Sequence, residues 1–278
     1  MPQRVEKSVL ITGCSSGIGL SVAIGLKQRG YQVITSARKQ ADVERLIASG
    51  FHSVQLDLDD SDSIQQAVAE ALSITSGKLY GLFNNGAYGQ PGAVEDLSRQ
   101  TLRSQFETNL FGWHELTCKI IPIMRQQGEG RIIQNSSVLG FAALAYRGAY
   151  NASKFALEGL TDTMRAELKG SGIQVSLIEP GPIESLFRAN AYAMWKQNIS
   201  PMGSFHRDAY QAMEERLTKA GPAVPFTLPP EAVLKRVIHA LESPRPKIRY
   251  YVTFPTYLFG TLKRILPYRA MDWILSRV

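Results

Sequence analysis

Near its start the chain reads Ser8-Val9-Leu10-Ile11-Thr12-Gly13-Cys14-Ser15-Ser16-Gly17-Ile18-Gly19. Ser8–Thr12 is a short apolar run of the kind that forms a buried strand. An amphipathic stretch follows from about Ile18 to Arg29, and Gly30 stops it. Glycines at 13, 17 and 19 let the backbone turn tightly between strand and helix. They also let a pyrophosphate approach the helix N-terminus, where free N–H groups and the helix dipole favour anions. A glycine-rich turn alone is weak evidence. Its place after the first strand of a βαβ unit makes Gly13, Ser15, Ser16, Gly17, Ile18 and Gly19 candidate dinucleotide contacts.

The alternation continues outward. Gln32–Ser36, Ser53–Leu58, Leu79–Phe83, Arg131–Gln134 and Gln174–Ile178 are further strand candidates. Helical patterns lie between them, over Asp42–Ala48, from Ser61 to Leu72, around Leu102–Arg125 and over Tyr150–Leu168. Six strands alternating with helices predict an α/β fold, a single Rossmann-type doubly wound parallel sheet with helices on both faces. The 278 residues suit one such unit, since α/β folds reach about 250 residues as one domain. No repeat or linker interrupts the chain before about residue 183. The expected organisation is a domain over 1–255, carrying a helical substrate lid at about 184–228, and a basic amphipathic tail over 256–278.

Composition removes several classes. Hydrophobic residues at 44% and charged residues at 20% exclude a disordered or collagen-like chain. Cys14 and Cys118 are the only cysteines, which excludes a disulfide framework and fits a reducing, cytoplasmic compartment. His52, His114, His206 and His239 are scattered, so no metal site is expected. Of the net charge of +7, +6 belongs to the last stretch, where Arg245, Lys247, Arg249, Lys263, Arg264, Arg269 and Arg277 face only Asp272. The rest is nearly neutral, so no nucleic-acid partner is expected. Met1–Lys7 is polar and the apolar run behind it is short, so no secretory leader is expected.

The tail has its own pattern. Leu258, Phe259, Leu262, Ile265 and Leu266 follow i, i+3, i+4 spacing with Lys263 and Arg264 between them. Met271, Trp273, Ile274 and Leu275 resume after Pro267. Such a segment either packs on the domain or lies peripherally on an anionic membrane. Both readings stand.

At the end of the second strand, where an NAD site carries an acid for the ribose 2′-hydroxyl, the chain has Ser36-Ala37-Arg38-Lys39. A guanidinium suits a 2′-phosphate, so Arg38 predicts NADP(H). Tyr150-Asn151-Ala152-Ser153-Lys154 opens a helix with tyrosine and lysine at i and i+4 on one face. An ammonium beside the phenol should favour the phenolate and lower its pKa, making Tyr150 a usable acid. Ser136-Ser137 ends a strand, at the carboxyl edge where open α/β sheets bind ligands.

With these residues together, the chain resembles the short-chain dehydrogenase/reductase family. Thr12-Gly13-x-x-x-Gly17-x-Gly19, Ser137 and Tyr150-x-x-x-Lys154 stand in the family's order, over about Ser8 to Ser185. The resemblance selects Ser137 over Ser136 and Tyr150 over Tyr146. It implies that Asn109, Ser137, Tyr150 and Lys154 are catalytic, with Asn109 holding a water that links the lysine to solvent. It also implies that Asp57 and Leu58 contact adenine, and that Asn85, Pro180, Gly181, Ile183 and Ser185 contact the cofactor together with Tyr150 and Lys154. The family's Asn-Asn-Ala-Gly is replaced by Asn84-Asn85-Gly86-Ala87. If its last position needs positive φ, Ala87 is strained by about 1 kcal/mol.

Cys14-Ser15-Ser16, Glu179-Pro180-Gly181-Pro182-Ile183 and the basic tail are similar to 17β-hydroxysteroid and retinol dehydrogenases and to bacterial NADP-dependent aldehyde reductases. The resemblance therefore implies hydride transfer between NADP(H) and a small lipophilic carbonyl or alcohol, in the reducing direction, by a homodimer or higher homo-oligomer. The alternative is a dinucleotide-binding scaffold or a membrane-peripheral binding protein. Phe187, Tyr192, Met194, Trp195, Met202, Phe205, Tyr210 and Met213 supply the lid segment with either an apolar substrate wall or the core of a packed helical hairpin.

Overall fold

The computed structural model describes residues 7–278. Seven parallel strands form one sheet: β1 (Ser8–Ile11), β2 (Gln32–Ala37), β3 (His52–Gln55), β4 (Gly81–Asn84), β5 (Gly130–Asn135), β6 (Ile173–Glu179) and β7 (Arg249–Tyr251). Their order is β3-β2-β1-β4-β5-β6-β7. The order reverses between β1 and β4, the switch point where such sheets open a crevice at their carboxyl ends.

Alternation along each strand explains the two layers of helices. Val9 and Ile11 point to one face with Val33, Phe83 and Ile133. There they meet Val22 and Leu26 of α1 (Gly17–Gln28), Val43 and Leu46 of α2 (Gln40–Ala48), and Val233 and Val237 of α9 (Glu231–Glu242). Leu10, Ile34, Leu82, Ile132 and Val175 point to the other. They meet Ile64 and Ala67 of α3 (Ser61–Ile74), Leu116 and Ile120 of α5 (Gly112–Gln127), and Leu157 of α6 (Gly148–Glu167). A strand apolar on both faces is stable only when both are covered, which is why β1 reads as an unbroken apolar run.

Three elements differ from expectation. β7 makes seven strands instead of six; it is a three-residue edge strand that opens with Arg249, too short and polar to show an apolar pattern. The helix expected around Leu102–Arg125 is two, α4 (Arg99–Phe106) and α5, joined by a π-helical turn at Glu107–Phe111. Hydrophobic periodicity does not register a single wide turn, and such turns favour functional sites. The strand expected to Leu58 ends at Gln55.

Residues 184–228 carry two helices, α7 (Phe187–Asn198) and α8 (Arg207–Thr218). A parallel bridge between Ile183 and Leu228 closes its base. The boundary expected at 255/256 falls inside α10 (Phe254–Ile265), which is followed by α11 (Tyr268–Leu275). Phe259 and Met271 are buried against Ala142, with Val138 and Phe141 beside them. One face of the tail thus packs on the loop after β5. No helix among the described residues is long and apolar enough to cross a membrane.

Candidate active site

The glycine turn sits where β1 meets the crevice. Gly13 takes φ +69°, and a Cβ there would meet the Gly86 Cα at 2.6 Å; a Cβ on Gly19 would meet the Gly13 carbonyl oxygen at 2.3 Å. Both positions exclude any side chain because backbones touch. Thr12 Oγ1 accepts the N–H groups of Asn85 and Gly86, each at 2.8 Å. Asn85 Nδ2 donates to the Thr12 carbonyl at 3.0 Å, and Asn135 Nδ2 donates to Asn85 Oδ1 at 2.9 Å. The ends of β1, β4 and β5 are therefore one hydrogen-bonded edge. Neither Gly86 nor Ala87 takes a positive φ, so the strain expected at Ala87 is absent. Gly86 stands where the glycine turn makes its close approach.

Ser16 is the N-cap of α1 yet spends no side-chain hydrogen bond on the helix, and the first turn carries no acid. Ser15, Ser16, Gly17 and Ile18 line a cavity of about 1010 Å³. A free hydroxyl, open N–H groups and a floor with no Cβ fit the pyrophosphate of a dinucleotide. The same cavity is lined by Asn85, Ser137, Tyr150, Lys154, Pro180, Gly181, Ile183 and Ser185. Gly19 is buried beneath it.

Arg38, Asp57 and Leu58 lie beyond its lining, at the ends of β2 and β3. Arg38 is exposed, and Gln55 Nε2 holds its carbonyl at 3.0 Å. A carboxylate near enough to feel its charge is Asp59, which accepts from Thr108 Oγ1 at 2.5 Å. Burial raises the Asp59 carboxyl, while Thr108 and the Arg38 charge draw it back down.

Tyr150 and Lys154 sit on the first two turns of α6. Ser137 lies close enough to the Tyr150 phenol to draw its pKa down, and its hydroxyl accepts the Leu139 N–H at 3.1 Å. Lys154 is 1% exposed. Its Nζ donates to the Asn135 carbonyl at 2.8 Å and stands 4.2 Å from the Trp113 ring centroid and 5.7 Å from that of Tyr150. Burial pulls the Lys154 amine down to about 7, partly offset by Glu158. The lowering expected for Tyr150 is not found. Burial pushes its phenol well above the ordinary range, with only Ser137 acting against it. The reason is that the phenol is itself desolvated by burial, which disfavours the phenolate.

Asn109 is fully buried in the π-helical turn. Its Nδ2 donates to the Tyr88 carbonyl at 2.9 Å, and its Oδ1 accepts the Tyr88 N–H at 3.2 Å. It clamps the loop after β4, and its Nδ2 also reaches Ser153 Oγ at 3.4 Å.

The apolar residues of the 184–228 segment divide between a packed core and the cavity. Trp195, Tyr210 and Met213 are buried in a hairpin core, with Tyr146 packed against it. Phe187 turns into the cavity, its ring 5.3 Å from that of Tyr150. Met202 and Phe205 are exposed. The sequence reading missed the walls formed by Phe254, Leu258 and Phe259 of the tail, and the cavity arginines Arg147, Arg188 and Arg216. Arg147 had a weak signal, since it stands just before the helix that carries Tyr150.

This fold, with a glycine cradle and a serine–tyrosine pair facing one crevice, defines a nicotinamide-dependent oxidoreductase. The chain belongs to the short-chain dehydrogenase/reductase family, and the family described as short chain dehydrogenase matches residues 7–195. It is 45% identical over 98% of its length to an uncharacterized oxidoreductase, YbbO, of Escherichia coli (strain K12), covering 95% of that protein. It is 31% identical to retinol dehydrogenase 8 of Homo sapiens, over 93% of this chain and 85% of that one. A crystal structure of a short-chain dehydrogenase from Streptomyces avermitilis superposes with a TM-score of 0.76 at 26% identity, covering 97% of this chain and 95% of that one. The protein is an oxidoreductase acting on CH–OH groups.

Proposed function

We propose that the protein is an NADP(H)-dependent reductase of lipophilic carbonyl compounds, of the aldehyde, retinoid or steroid-like kind. The observation that carries this reading is the single cavity joining the glycine cradle to Ser137 and Tyr150 and ending in apolar walls from Phe187, Leu258 and Phe259. Arg38 after β2 supports the phosphorylated cofactor. Similarity to a retinol dehydrogenase supports a lipophilic substrate.

When bound, the nicotinamide supplies the hydride for the carbonyl carbon. The glycine turn and Ser16 hold the pyrophosphate, and Arg38 meets the 2′-phosphate. Tyr150 donates its phenolic proton to the carbonyl oxygen. Its raised pKa keeps that proton in place until the oxygen becomes basic. The Ser137 hydroxyl orients the same oxygen and stabilises the phenolate left behind. Lys154, poised near 7, supplies positive charge and returns a proton to that phenolate. Asn109 is a positioning residue that holds the loop over them.

The test is purified protein with NADPH and aldehydes and ketones of graded chain length, followed by the absorbance of the reduced nicotinamide. Turnover should rise with chain length. Tyr150→Phe should lose roughly 10²–10⁴ of kcat while still binding NADPH. No turnover on any member, or a Tyr150→Phe variant keeping a third of wild-type kcat, overturns the reading.

A further inference from the structure

Three arginines line the lid side of the cavity, and Glu184 is the one carboxylate side chain among the lining residues. Arg188 of α7 is committed, donating to the carbonyls of Lys219 and Gly221. Arg147 and Arg216 are not. Among the described residues neither side chain makes a hydrogen bond or an ion pair. Both are largely covered. Burial, then repulsion from Arg216, brings Arg147 down to about 10. Burial, then Arg188, lowers Arg216. Two desolvated guanidiniums with no ion pair among the described residues are a standing cost to the fold.

Their place says what would relieve it. A bridge between Gly92 and Arg147 sets Arg147 under the lid, away from the glycine turn. Arg147 caps α6 three residues before Tyr150, and i, i+3 positions are neighbours on a helix surface. Arg216 faces the same space from α8, beside the buried Leu217.

We propose that Arg147 and Arg216 form an oxyanion-binding subsite on the substrate side of the cavity. The carbonyl substrate is then an amphiphile with a carboxylate, sulfonate or phosphate group a few bonds from its reactive carbon and an apolar chain toward Phe254 and Leu258. This deepens the reductase reading and rests on it.

Calorimetric titration tests it without needing turnover. Decanoate, decyl sulfonate and decyl phosphate are titrated into wild-type protein saturated with NADP, with decanol as the neutral match. The best anion should bind at least about tenfold tighter than decanol, and Arg147→Gln or Arg216→Gln should remove about tenfold to a hundredfold of that anion's affinity. Arg245→Gln, exposed and outside the cavity, should leave it intact. Arg216→Lys keeps the charge without the bidentate fork and should lose less, which separates pairing from misfolding. Equal affinity for decanol and all three anions overturns the subsite. So does an equal loss for anion and alcohol in the glutamine variants, or anion binding that disappears when NADP saturates the cradle. A protein that binds the anions but reduces no carbonyl sinks the reductase reading and leaves the subsite standing.

Discussion

At the scale of single residues, the proposed preference for NADP(H) rests on Arg38. It stands exposed at the end of β2, where an acid would select NAD. Asp59, the carboxylate nearest in effect, is bonded to Thr108 and raised by burial. Arg38→Ala should therefore weaken NADPH binding by roughly tenfold to over a hundredfold and NADH binding far less. Fluorescence titration with both cofactors decides it, and equal losses would make Arg38 an ordinary surface residue. The Tyr150–Lys154 pair was legible because an i, i+4 spacing puts both side chains on one helix face. The protonation of the Tyr150–Lys154 pair was not, because it depends on how deeply α6 is buried.

Among the elements, β7 is the one the sequence hid, and it holds a charge cluster. Arg249 Nε donates to Glu179 Oε1 at 3.1 Å, and its Nη2 donates to Glu158 Oε2 at 3.1 Å and Asp162 Oδ2 at 2.8 Å. Glu179 is fully buried. Arg249→Met takes the cation from Glu158 and Asp162 and a hydrogen-bond donor from the buried Glu179, which should cost about 3–5 kcal/mol in chemical denaturation. A loss below about 1 kcal/mol would mean that β7 is held by its backbone alone. Burial, then Glu158, pushes Glu179 from its ordinary 4.5 up to about 9. The folded state thus keeps a proton that the unfolded chain has lost. Its contribution to stability is complete below about 4.5 and is lost as pH rises through 9. The melting temperature should fall across that window, and a flat profile would contradict the assignment.

For the molecule as a whole, the tail has two sides. Phe259 and Met271 face the domain, and Lys263 Nζ donates to the Phe141 carbonyl at 2.6 Å. Ile265, Tyr268 and Trp273 are exposed, with Arg264 and Arg269 beside them and the Arg277 guanidinium 3.9 Å from the Trp273 ring centroid. We propose that this outer side rests on an anionic membrane, from which a lipophilic substrate reaches the cavity that α10 walls. Each cation near such a surface adds about 1 kcal/mol. Full-length protein should float with anionic vesicles at low salt and be released at high salt, and Trp273→Ser with Arg269→Gln should weaken flotation. Protein that stays in the soluble fraction at low salt shows the outer side to be plain surface. Point variants are the right tool, because deleting α10 would remove a cavity wall.

Alternation of apolar runs with amphipathic stretches determined the parallel sheet and its layers, since a strand covered on both faces must be apolar throughout. The glycine turn, Ser137, Tyr150 and Lys154 were equally legible, because a tight turn and an i, i+4 pair are set by local backbone geometry. Tertiary structure alone decided what distant segments do to one another. It put Arg249 against Glu179, set Arg147 and Arg216 in one cavity with no partner among the described residues, and made the tail a wall. The physical reason is desolvation, because whether a charge is buried, paired or free depends on everything packed around it and not on its neighbours in the chain.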